Sequence, residues 1–408
     1  MRKVMMKKVI VYTGLLAFYN LTCAGQPVPD DTVRPEITVE SVETVSRNAG
    51  LFHGWPTVII TDAGDLLAVY SGGREGHVCP FGRVEMIYSK DNGKTWSEPQ
   101  ILANTPLDDR DAGILETDRG TLLVTWFTST AFVSRIPDVT GTTDDWPQER
   151  LDLWRDALDN MKSVNCTYPE IRKFMERKEQ KGIAPLYPVT QWMIRSEDGG
   201  RSWSEPYHVP LMSPNGPKLT RDNRLLWAGK DESFIGVAES FDDGRTWEII
   251  GQIPSYPGHD PANYHELDII ECEDGTLIAQ IRNHNEPYDR ETLQTRSDDG
   301  GITWTVPRSI NVWGLPSHLI RLPGNTLLMS YGYRREPRNV FVRFSSDCGR
   351  SWSGPLSLSK TTGDFGYPTT AVLPDGRLLT LWYETLPGNN KAQLIQAIWQ
   401  YKLKTIQK

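Results

Sequence analysis

The chain has 408 residues, which is enough for one large domain or for two or three domains of ordinary size. Hydrophobic residues make up 38% and charged residues 24%, so the composition favours a packed core and argues against extensive disorder. The formal net charge of -8 gives no electrostatic reason to expect a nucleic acid as a partner.

Residues 1–24 are typical of an export signal. A basic start is followed by an apolar run from Val9 to Leu21 and by the small residues Thr22-Cys23-Ala24. The run is too short for a membrane span, and no later segment is apolar enough to cross a bilayer. We therefore predict a signal peptide and a secreted or periplasmic protein. A lipid anchor at Cys23 is the weaker alternative, because Asn20 stands where a lipoprotein signal would have leucine.

The cysteines beyond this segment are widely spaced and form neither a CxxC pair nor a zinc-binding pattern. One or two disulfides in an oxidising compartment and ordinary buried thiols are both acceptable interpretations. We expect neither a metal nor another cofactor. The cysteines are Cys79, Cys166, Cys272 and Cys348.

A short motif of the form Ser-x-Asp-x-Gly-x-Ser/Thr-Trp is repeated five times. We interpret it as a hairpin turn in which the Asp accepts hydrogen bonds from turn amides, the Gly adopts a positive φ and the Trp packs between neighbouring sheets. Five identical catalytic sites in one chain would make little sense, so we expect a structural role. The copies are Ser89–Trp96, Ser196–Trp203, Ser240–Trp247, Ser297–Trp304 and Ser345–Trp352.

A second motif, a turn followed by a strand with paired leucines or similar residues, occurs six times, for example as "TDAGDLL" and "LPDGRLL". The copies recur about every fifty residues, which is the length of a four-stranded propeller blade, except for one gap about twice as long between Leu123 and Leu226. We therefore predict an all-β, six-bladed β-propeller over residues 40–403. The N-terminal segment is expected to close the ring against the last strands and so protect the sheet edges.

The long gap predicts a helical insertion in the second blade, over about residues 135–188. A first helix is indicated by Leu151, Trp154, Leu158 and Met161, which fall on one helical stripe. A second helix is indicated by "PEIRKFMERKE", which starts with Pro169. The stretch lacks both the leucine turn and strand alternation, which argues against a seventh blade.

The six leucine turns also locate equivalent positions near the axis of the propeller. In a purely structural repeat, equivalent positions should carry similar residues, whereas the six positions listed below carry different ones. We therefore predict a site at one end of the axis, and an ordinary ion-pair network plugging the channel is the alternative. The positions, nine residues before each turn glycine or its equivalent, are Trp55, Asp111, Pro214, Glu266, Pro316 and Tyr367. Polar residues near them are His53, Arg74, His77, Arg110, His265, Asp268, Arg282, His284, His318, Arg338, Asp364 and Glu384.

Tyr367 and Glu266 form the most specific pair in this set. A phenol is a weak nucleophile until a neighbouring carboxylate accepts its proton, and Glu266 is placed to do so. An anionic or strongly polarised phenol suits attack on a cationic sugar centre that bears a carboxylate, as in sialidases. Arg282 and Arg338 would hold that carboxylate in a planar, bidentate clamp.

These residues and the five Asp-containing turns make the chain resemble the sialidase (neuraminidase) superfamily of Asp-box propellers over nearly the whole domain. The resemblance implies that Tyr367 in "DFGYPTTAVLPDG" is the nucleophile and that Glu266 in "HELDIIECEDGTLIAQIRN" is its partner. It also implies that Arg282 and Arg338 are the second and third arginines of a triad that binds the substrate carboxylate.

The resemblance extends to three further residues. It implies that Asp111 lies near the sugar ring, that Arg74 in "YSGGREGH" is a ring-side arginine, and that Glu384 in "WYE" steadies the first arginine of the triad. With Trp55 and His265, the candidate substrate-binding residues are therefore Trp55, Arg74, His265, Arg282, Arg338 and Glu384. The candidate catalytic residues are Tyr367, Glu266, His77 and Asp111.

The sequence departs from the family pattern at two places. The first arginine of the triad is absent, because the segment before the first turn reads "HGWPT", with Trp55 and Pro56. The loop after Arg74 has no acid/base Asp and offers Glu75 and His77 instead, of which His77 is better suited to proton transfer near neutral pH. Sialic acid and a uronic acid therefore both remain candidate substrates.

The leading prediction is an exported exo-glycosidase of sialidase type that removes a terminal, anionic sugar from a glycan partner. One alternative is a propeller that binds glycans without cleaving them, which the missing arginine and Asp favour. Another alternative is a propeller glycosidase or lyase that uses His53, His77 or His265 as acid and base on a different sugar.

Overall fold

The computed structural model describes residues 33–136, 146–167, 191–231, 233–386, 388 and 390–405. Within them the fold is all-β in character, with 24 strands, one α-helix and two short 3-10 helices at Ala131–Arg135 and Pro261–Asn263. The strands form antiparallel sheets arranged as in a propeller. The predicted signal peptide lies outside the described residues.

The largest sheet contains eight strands from both ends of the chain, in the order β22-β23-β24-β2-β3-β4-β5, with β1 paired to β24. Its strands are β1 (Val33–Thr44), β2 (Phe52–Ile60), β3 (Leu66–Arg74), β4 (Arg83–Ser89), β5 (Gln100–Ala103), β22 (Phe365–Val372), β23 (Leu378–Thr385) and β24 (Ala392–Thr405). The antiparallel pairing of β1 with β24 confirms that the N-terminal segment closes against the last strands.

Four further sheets have four strands each, paired in chain order. The first two contain β6 (Asp108–Glu116), β7 (Leu122–Ser129), β8 (Gln191–Ser196) and β9 (Tyr207–His208), then β10 (Lys218–Leu219), β11 (Leu225–Lys230), β12 (Ile235–Ser240) and β13 (Glu248–Ile253). The other two contain β14 (Tyr264–Glu271), β15 (Leu277–Asn283), β16 (Thr292–Ser297) and β17 (Arg308–Ser309), then β18 (Ser317–Arg321), β19 (Leu327–Tyr333), β20 (Asn339–Ser345) and β21 (Leu356–Lys360).

The predicted count of six separate blades is not confirmed, because the described strands form four separate four-stranded sheets and one sheet of eight. The strands at the two ends of the chain merge into this larger sheet through a parallel pairing of β2 with β24, at Phe52 and Ala392. Sequence periodicity cannot reveal this contact, since it joins residues more than three hundred positions apart.

The five Asp-box turns adopt the predicted geometry. In the first copy, the Ser89 hydroxyl donates to Asp91 at 2.8 Å, and Asp91 accepts from the backbone N–H and the hydroxyl of Thr95 at 2.9 and 2.7 Å. The Gly93 N–H donates back to Ser89, and Gly93 has φ 82°. The other four copies repeat the contact from Ser to Asp and from Gly to Ser.

The hydrophobic core lies between neighbouring sets of strands. Leu226 and Val237 of one sheet, for example, pack with Leu267 and Ile281 of the next, and the Asp-box residue Trp304 joins this cluster. The remaining Asp-box tryptophans pack in or against other clusters of the same kind, as predicted: Trp96, Trp203, Trp247 and Trp352.

One α-helix, α1 (Gln148–Thr167), lies in chain order between β7 and β8 of one sheet. Trp154 is 1% exposed, and Leu151 and Leu158 pack against the same cluster, so the predicted stripe faces the sheets. The side chain of Met161, the second predicted helix and most of the remaining insertion lie outside the described residues. The predicted limits of 135–188 therefore stay a prediction.

A disulfide joins Cys272, in the turn after β14, to Cys348, in the Asp-box turn after β20, whereas Cys79 is a buried free thiol. The bond therefore links two neighbouring four-stranded sheets. In the part of the chain that the structure describes, no helix is long and apolar enough to span a membrane.

Candidate active site

The backbone at the axial ends of four first strands is irregular at the predicted positions. The register of β2, β6, β14 and β22 shifts across Trp55, Asp111, Glu266 and Tyr367 respectively. Trp55, Asp111 and Tyr367 have φ values of 53°, 55° and 54°. A bulge re-aims a side chain, and a positive φ in a residue other than glycine often marks a functional site. The common backbone feature shows that these positions are structurally equivalent.

Tyr367, Glu266 and Arg282 meet in one hydrogen-bonded group. The Tyr367 hydroxyl donates a short hydrogen bond to Glu266 Oε1. Arg282 Nη1 donates to both oxygens of Glu266, at 3.0 and 3.1 Å, and to the Tyr367 hydroxyl at 3.0 Å. The predicted pairing of phenol, carboxylate and guanidinium is therefore present, although β14, β15 and β22 are far apart in the chain.

The proton of this couple rests on the phenol. Burial raises the pKa of Tyr367 well above its usual value, and the negative charge of Glu266 raises it further. Burial alone would also raise the pKa of Glu266, but Arg282 and the Tyr367 hydrogen bond outweigh it and lower this pKa to about 2. The resting state therefore contains a neutral, polarised phenol, so that of the two expected forms, anionic or strongly polarised, these pKa shifts favour the second.

Arg334 is the second arginine at this group, and the sequence analysis missed it. Its Nε donates to the Phe365 carbonyl at 2.7 Å and its Nη2 to the Tyr383 hydroxyl at 3.1 Å. Arg338, which was predicted here, instead donates to the Gly363 carbonyl at 2.9 Å and pairs with Glu336 at 3.2 Å. Arg334 directly follows β19, and its place at the end of a strand was the available signal.

Tyr383 and Asp364 occupy the place expected for Glu384. The Tyr383 ring lies 6.1 Å from that of Tyr367, and its hydroxyl donates to Asp364 at 2.9 Å. Asp364 also lies 3.7 Å from Arg334. Burial would raise the pKa of Asp364, but the hydrogen bond with His77, the charge of Arg334 and the Tyr383 hydroxyl outweigh burial and lower this pKa below its usual value. Because neighbouring residues of a strand point to opposite faces, Glu384 is directed away from the side of β23 that Tyr383 presents to Tyr367.

Trp55 lies in the segment from which the first arginine of the predicted triad is absent, and it is 1% exposed. Its ring centre lies 6.4 Å from that of Tyr367 and is approached by the guanidinium carbons of Arg110 at 4.4 Å and of Arg74 at 4.9 Å. Cation–π contacts of this kind are favourable when they are desolvated. Trp55 therefore forms a fixed aromatic wall of the site.

Arg74 supports the site from below and has no exposed surface. Its Nη1 and Nη2 donate to the two oxygens of the buried Asp108, and its other hydrogen bonds go to the carbonyls of Gly76 and His77. This arrangement fixes the loop after β3. It does not support the prediction that Arg74 contacts a substrate directly.

Asp111 lies near the Tyr367 couple and is 5% exposed. Its pKa is raised to about 6, chiefly by burial, with the charge of Arg110 acting against burial and that of Glu266 adding to it. Its Oδ1 and the Nε of Arg110 are 3.6 Å apart, and both are buried without a hydrogen-bond partner. The two charged groups therefore face each other as an ion pair that is too long for a hydrogen bond.

His77 lines the other side of the site, and about half of its side chain is exposed. Its ring centre is 5.0 Å from that of Trp55, and its Nδ1 is 3.7 Å from Asp364. Glu75, the other candidate in this loop, accepts hydrogen bonds from Arg150 and Trp154, both at 3.2 Å. His77 is therefore the freer of the two candidates for proton transfer.

His265 lies on the opposite flank, with its ring centre 5.1 Å from that of His284. Burial lowers the pKa of His265 to about 4, so its ring is neutral at neutral pH. Arg282 Nε donates to His284 Nε2 at 3.0 Å, which also requires an unprotonated nitrogen. His284 therefore positions Arg282, and neither histidine adds a positive charge.

Other polar residues near the axis form the structural network that was the alternative interpretation. Asp268 accepts the Leu319 N–H at 2.7 Å and lies 3.2 Å from Lys218 Nζ, which is 3.1 Å from His318 Nε2. His53 lies in the interior, with its Nε2 3.2 Å from the Asn48 carbonyl. The ion-pair interpretation thus applies to Asp268 and His318, and the site interpretation stays a prediction for the Tyr367 couple.

The fold and this group of residues together define an all-β, sialidase-like propeller with Asp-box repeats. The model of the BNR repeat-like domain matches residues 170–379, just over half of the chain, and a BNR/Asp-box repeat is matched at residues 87–98. The chain therefore belongs to the BNR repeat-like domain family. No curated protein sequence matches it.

Solved structures agree with this assignment at the level of the fold. A protein of unknown function from Dyadobacter fermentans DSM 18053 is 22% identical, with a TM-score of 0.69 over 90% of this chain and 99% of that one. The Hadza microbial sialidase Hz136 is 19% identical, with a TM-score of 0.59 over 85% and 65%. An intramolecular trans-sialidase from Ruminococcus gnavus is 16% identical, with a TM-score of 0.55 over 87% and 94%.

Proposed function

We propose that the protein is an exported exo-glycosidase of sialidase type, which hydrolyses a terminal anionic sugar, sialic acid or a uronic acid, from a glycan. The observation that carries this proposal is the Tyr367 phenol that donates to Glu266 while Arg282 binds both. Binding a glycan requires no such couple, whereas nucleophilic attack by a phenol requires a neighbouring proton acceptor.

The substrate carboxylate would bind between Arg282 and Arg334. Among the described residues, the hydrogen bonds of Arg282 use Nε and Nη1 and those of Arg334 use Nε and Nη2. Nη2 of Arg282 and Nη1 of Arg334 are thus available to an anionic group. Both side chains are held by neighbours, so little rotamer freedom would be lost on binding.

The proposed reaction has two displacement steps. Tyr367 Oη attacks the anomeric carbon and gives its proton to Glu266, while the bond to the leaving oxygen breaks and that oxygen takes a proton from protonated His77. Water then attacks the anomeric carbon, the bond to Tyr367 breaks, His77 takes the water proton and Glu266 returns its proton to Tyr367. Enzyme and protons are thereby restored, and Asp111 would contact the sugar ring.

Substrate charge would help to start this reaction. In the free enzyme, Arg282 keeps Glu266 a weak base. A bound carboxylate would share the positive charge of Arg282 and so weaken its hold on Glu266. The proton affinity of Glu266 would then rise when an anionic substrate is present, which would couple binding to activation of Tyr367.

The absence of the first arginine from the segment around Trp55 leaves two arginines, and therefore a weaker clamp, for the substrate carboxylate. A lost hydrogen bond to a charged group costs about 1.5–3 kcal/mol. The uronic acid alternative rests on the absence of this third arginine. A sugar whose other groups also bind the protein would depend less on three arginines at its carboxylate.

The number of blades and the export of the protein are also part of the proposal. We propose that the eight-stranded sheet represents two blades joined at Phe52 and Ala392, so that the ring has six. Export is supported by the disulfide between Cys272 and Cys348, because disulfides persist mainly in oxidising compartments.

The test is to offer the purified protein a panel of aryl glycosides and glycans that includes sialosides, uronides and rhamnosides. Release of an anionic sugar by the wild type, abolished by Tyr367→Phe and strongly reduced by His77→Ala, is the expected result. Retention of glycans without product would support the binding function instead. Turnover that survives Tyr367→Phe but is lost with His77→Ala would support histidine chemistry.

A further inference from the structure

A cavity of about 560 Å³ borders the candidate site at His77 and Asp364, and the reaction proposed above assigns no role to the rest of its lining. One side is formed by the loop after β3, from Glu75 to Val78, and another by Asp364. Another wall is formed by Trp146, just before α1, and by Arg150 and Trp154, in the first turns of α1. The insertion therefore contributes directly to the surroundings of the site.

The cavity and the catalytic group share two residues. His77 and Asp364 both line the cavity. His77 is in ring contact with Trp55, and Asp364 accepts the Tyr383 hydroxyl and pairs with Arg334. A proton donor must touch the leaving oxygen, so the space in front of His77 lies on the leaving-group side of the scissile bond.

The wall formed by the insertion is tied to the loop. Glu75 accepts hydrogen bonds from Arg150 Nε and Trp154 Nε1, and the Arg150 guanidinium carbon lies 4.0 Å from the ring centre of Trp146. Trp154 is buried, whereas Trp146 is half-buried. Trp146 thus presents a supported aromatic surface, and aromatic rings of this kind combine apolar contact with little conformational entropy cost.

We propose that this cavity binds the sugar ring of the leaving group, a neutral hexose, against Trp146. The inference rests on the proposed function and identifies which part of the glycan the insertion recognises. The volume falls within the range of about 300–1,000 Å³ that is typical of small-molecule sites. Apart from His77, whose proton is directed to the leaving oxygen, the charges of Arg135 and Arg150 are balanced by those of Glu75 and Asp364, which favours a neutral ring over a second anionic one.

The experiment compares two substrates with the same terminal anionic sugar, one linked to galactose and one a glycosyl fluoride. Fluoride has no ring and leaves without a proton donor, so it does not need the cavity. For Trp146→Ala, kcat/KM on the galactose-linked substrate is expected to fall about tenfold, the scale of one lost aromatic contact. On the fluoride it is expected to stay within about twofold, and Trp146→Phe is expected to recover most of the loss.

The matched control is Trp313→Ala, because Trp313 is also half-buried under an arginine, at 4.3 Å from Arg335, but lies outside this cavity. Trp313→Ala should leave kcat/KM unchanged on both substrates. Equal losses on both substrates with Trp146→Ala, or no loss on the galactose-linked one, would overturn the inference. A wild type that fails to hydrolyse the fluoride would instead overturn the proposed function itself.

Discussion

The Asp-box turns and the axial ends of the first strands both recur along the chain, but the turns keep the same side chains, whereas the axial ends keep the same backbone shape. The turns repeat side chains: a serine donates to the aspartate at 2.8 Å in the first, second, fourth and fifth copies and at 2.9 Å in the third. The axial ends repeat a backbone shape, with φ near 54° at Trp55, Asp111 and Tyr367, and vary the side chain. Constant side chains thus maintain the scaffold, and variable ones on a constant backbone build a site.

The aspartates of the two regions also differ in the direction in which the fold shifts their pKa. Hydrogen bonds from Thr303 lower the pKa of the turn residue Asp299 to about 2. Burial raises the pKa of the axial residue Asp111 to about 6. The turn carboxylate is therefore a fixed acceptor at any physiological pH, whereas the axial carboxyl changes its charge near the working range of many enzymes.

The largest expected effect is on catalysis at the axis. Tyr367→Phe removes the proposed nucleophile and should lower kcat on the best substrate by at least about a thousandfold, while the midpoint of thermal unfolding stays nearly unchanged. Tyr331→Phe, at another buried phenol that binds Arg343, is the control and should retain activity. Comparable losses in both variants would mean that the axial phenol has no special role.

The second effect concerns Asp111 and pH. Its carboxyl has an ordinary pKa of 3.8 and a folded value of about 6, so between these values the unfolded chain ionises first and the folded state loses stability as pH rises. Asp111→Asn cannot ionise. Relative to the wild type, the variant should therefore gain up to about 3 kcal/mol in free energy of unfolding between pH 4 and pH 7. Urea unfolding at both pH values measures this, and a difference that is independent of pH would contradict it.

The third effect separates two arginines of one loop. Arg334→Ala should lower kcat/KM on an anionic substrate by about 10- to 100-fold, because it removes a charged hydrogen bond to the substrate carboxylate. Arg338→Ala, at the position that the sequence favoured, should stay within about threefold. Steady-state kinetics with both variants decides the assignment, and a larger loss for Arg338→Ala would reverse it.

The smallest effect is expected at a turn. Asp242 accepts from the backbone N–H and the hydroxyl of Thr246, at 2.8 and 2.7 Å. Asp242→Ala should therefore lower the free energy of unfolding by about 1–3 kcal/mol and leave kcat/KM within about twofold. Asp242→Asn, which keeps one acceptor oxygen, should lose less. A turn variant that abolished turnover in a folded protein would break the division between scaffold and site.

The turns and the axial positions could be predicted because a repeat converts spacing along the chain into position in space. Glu266 and Tyr367 were found in this way, although they lie on different sheets. Arg334 was missed because three arginines occur within five residues of one loop, and spacing cannot decide which of them points to the axis. Glu384 was chosen in place of Tyr383 because a shift of one residue reverses the face of a strand.

The pairing of Phe52 with Ala392 was equally beyond sequence reasoning, because it depends on how closely the two ends of the chain approach each other. The helix α1 could be predicted from its apolar stripe. The contribution of Trp146, just before the helix, and of Arg150, within it, to a cavity beside the site could not be predicted, since the contact depends on the loop after β3.

The most direct measurement uses a glycoside of the terminal sugar that has a good leaving group and carries fluorine on the carbon next to the anomeric carbon. Fluorine slows breakdown of a covalent intermediate, so the glycosyl enzyme should accumulate. Peptide mass spectrometry should then find one added sugar on Tyr367 and none in the Tyr367→Phe variant. Turnover of the ordinary substrate without a label on Tyr367, or with the label on another residue, would contradict the proposed role of the axial phenol.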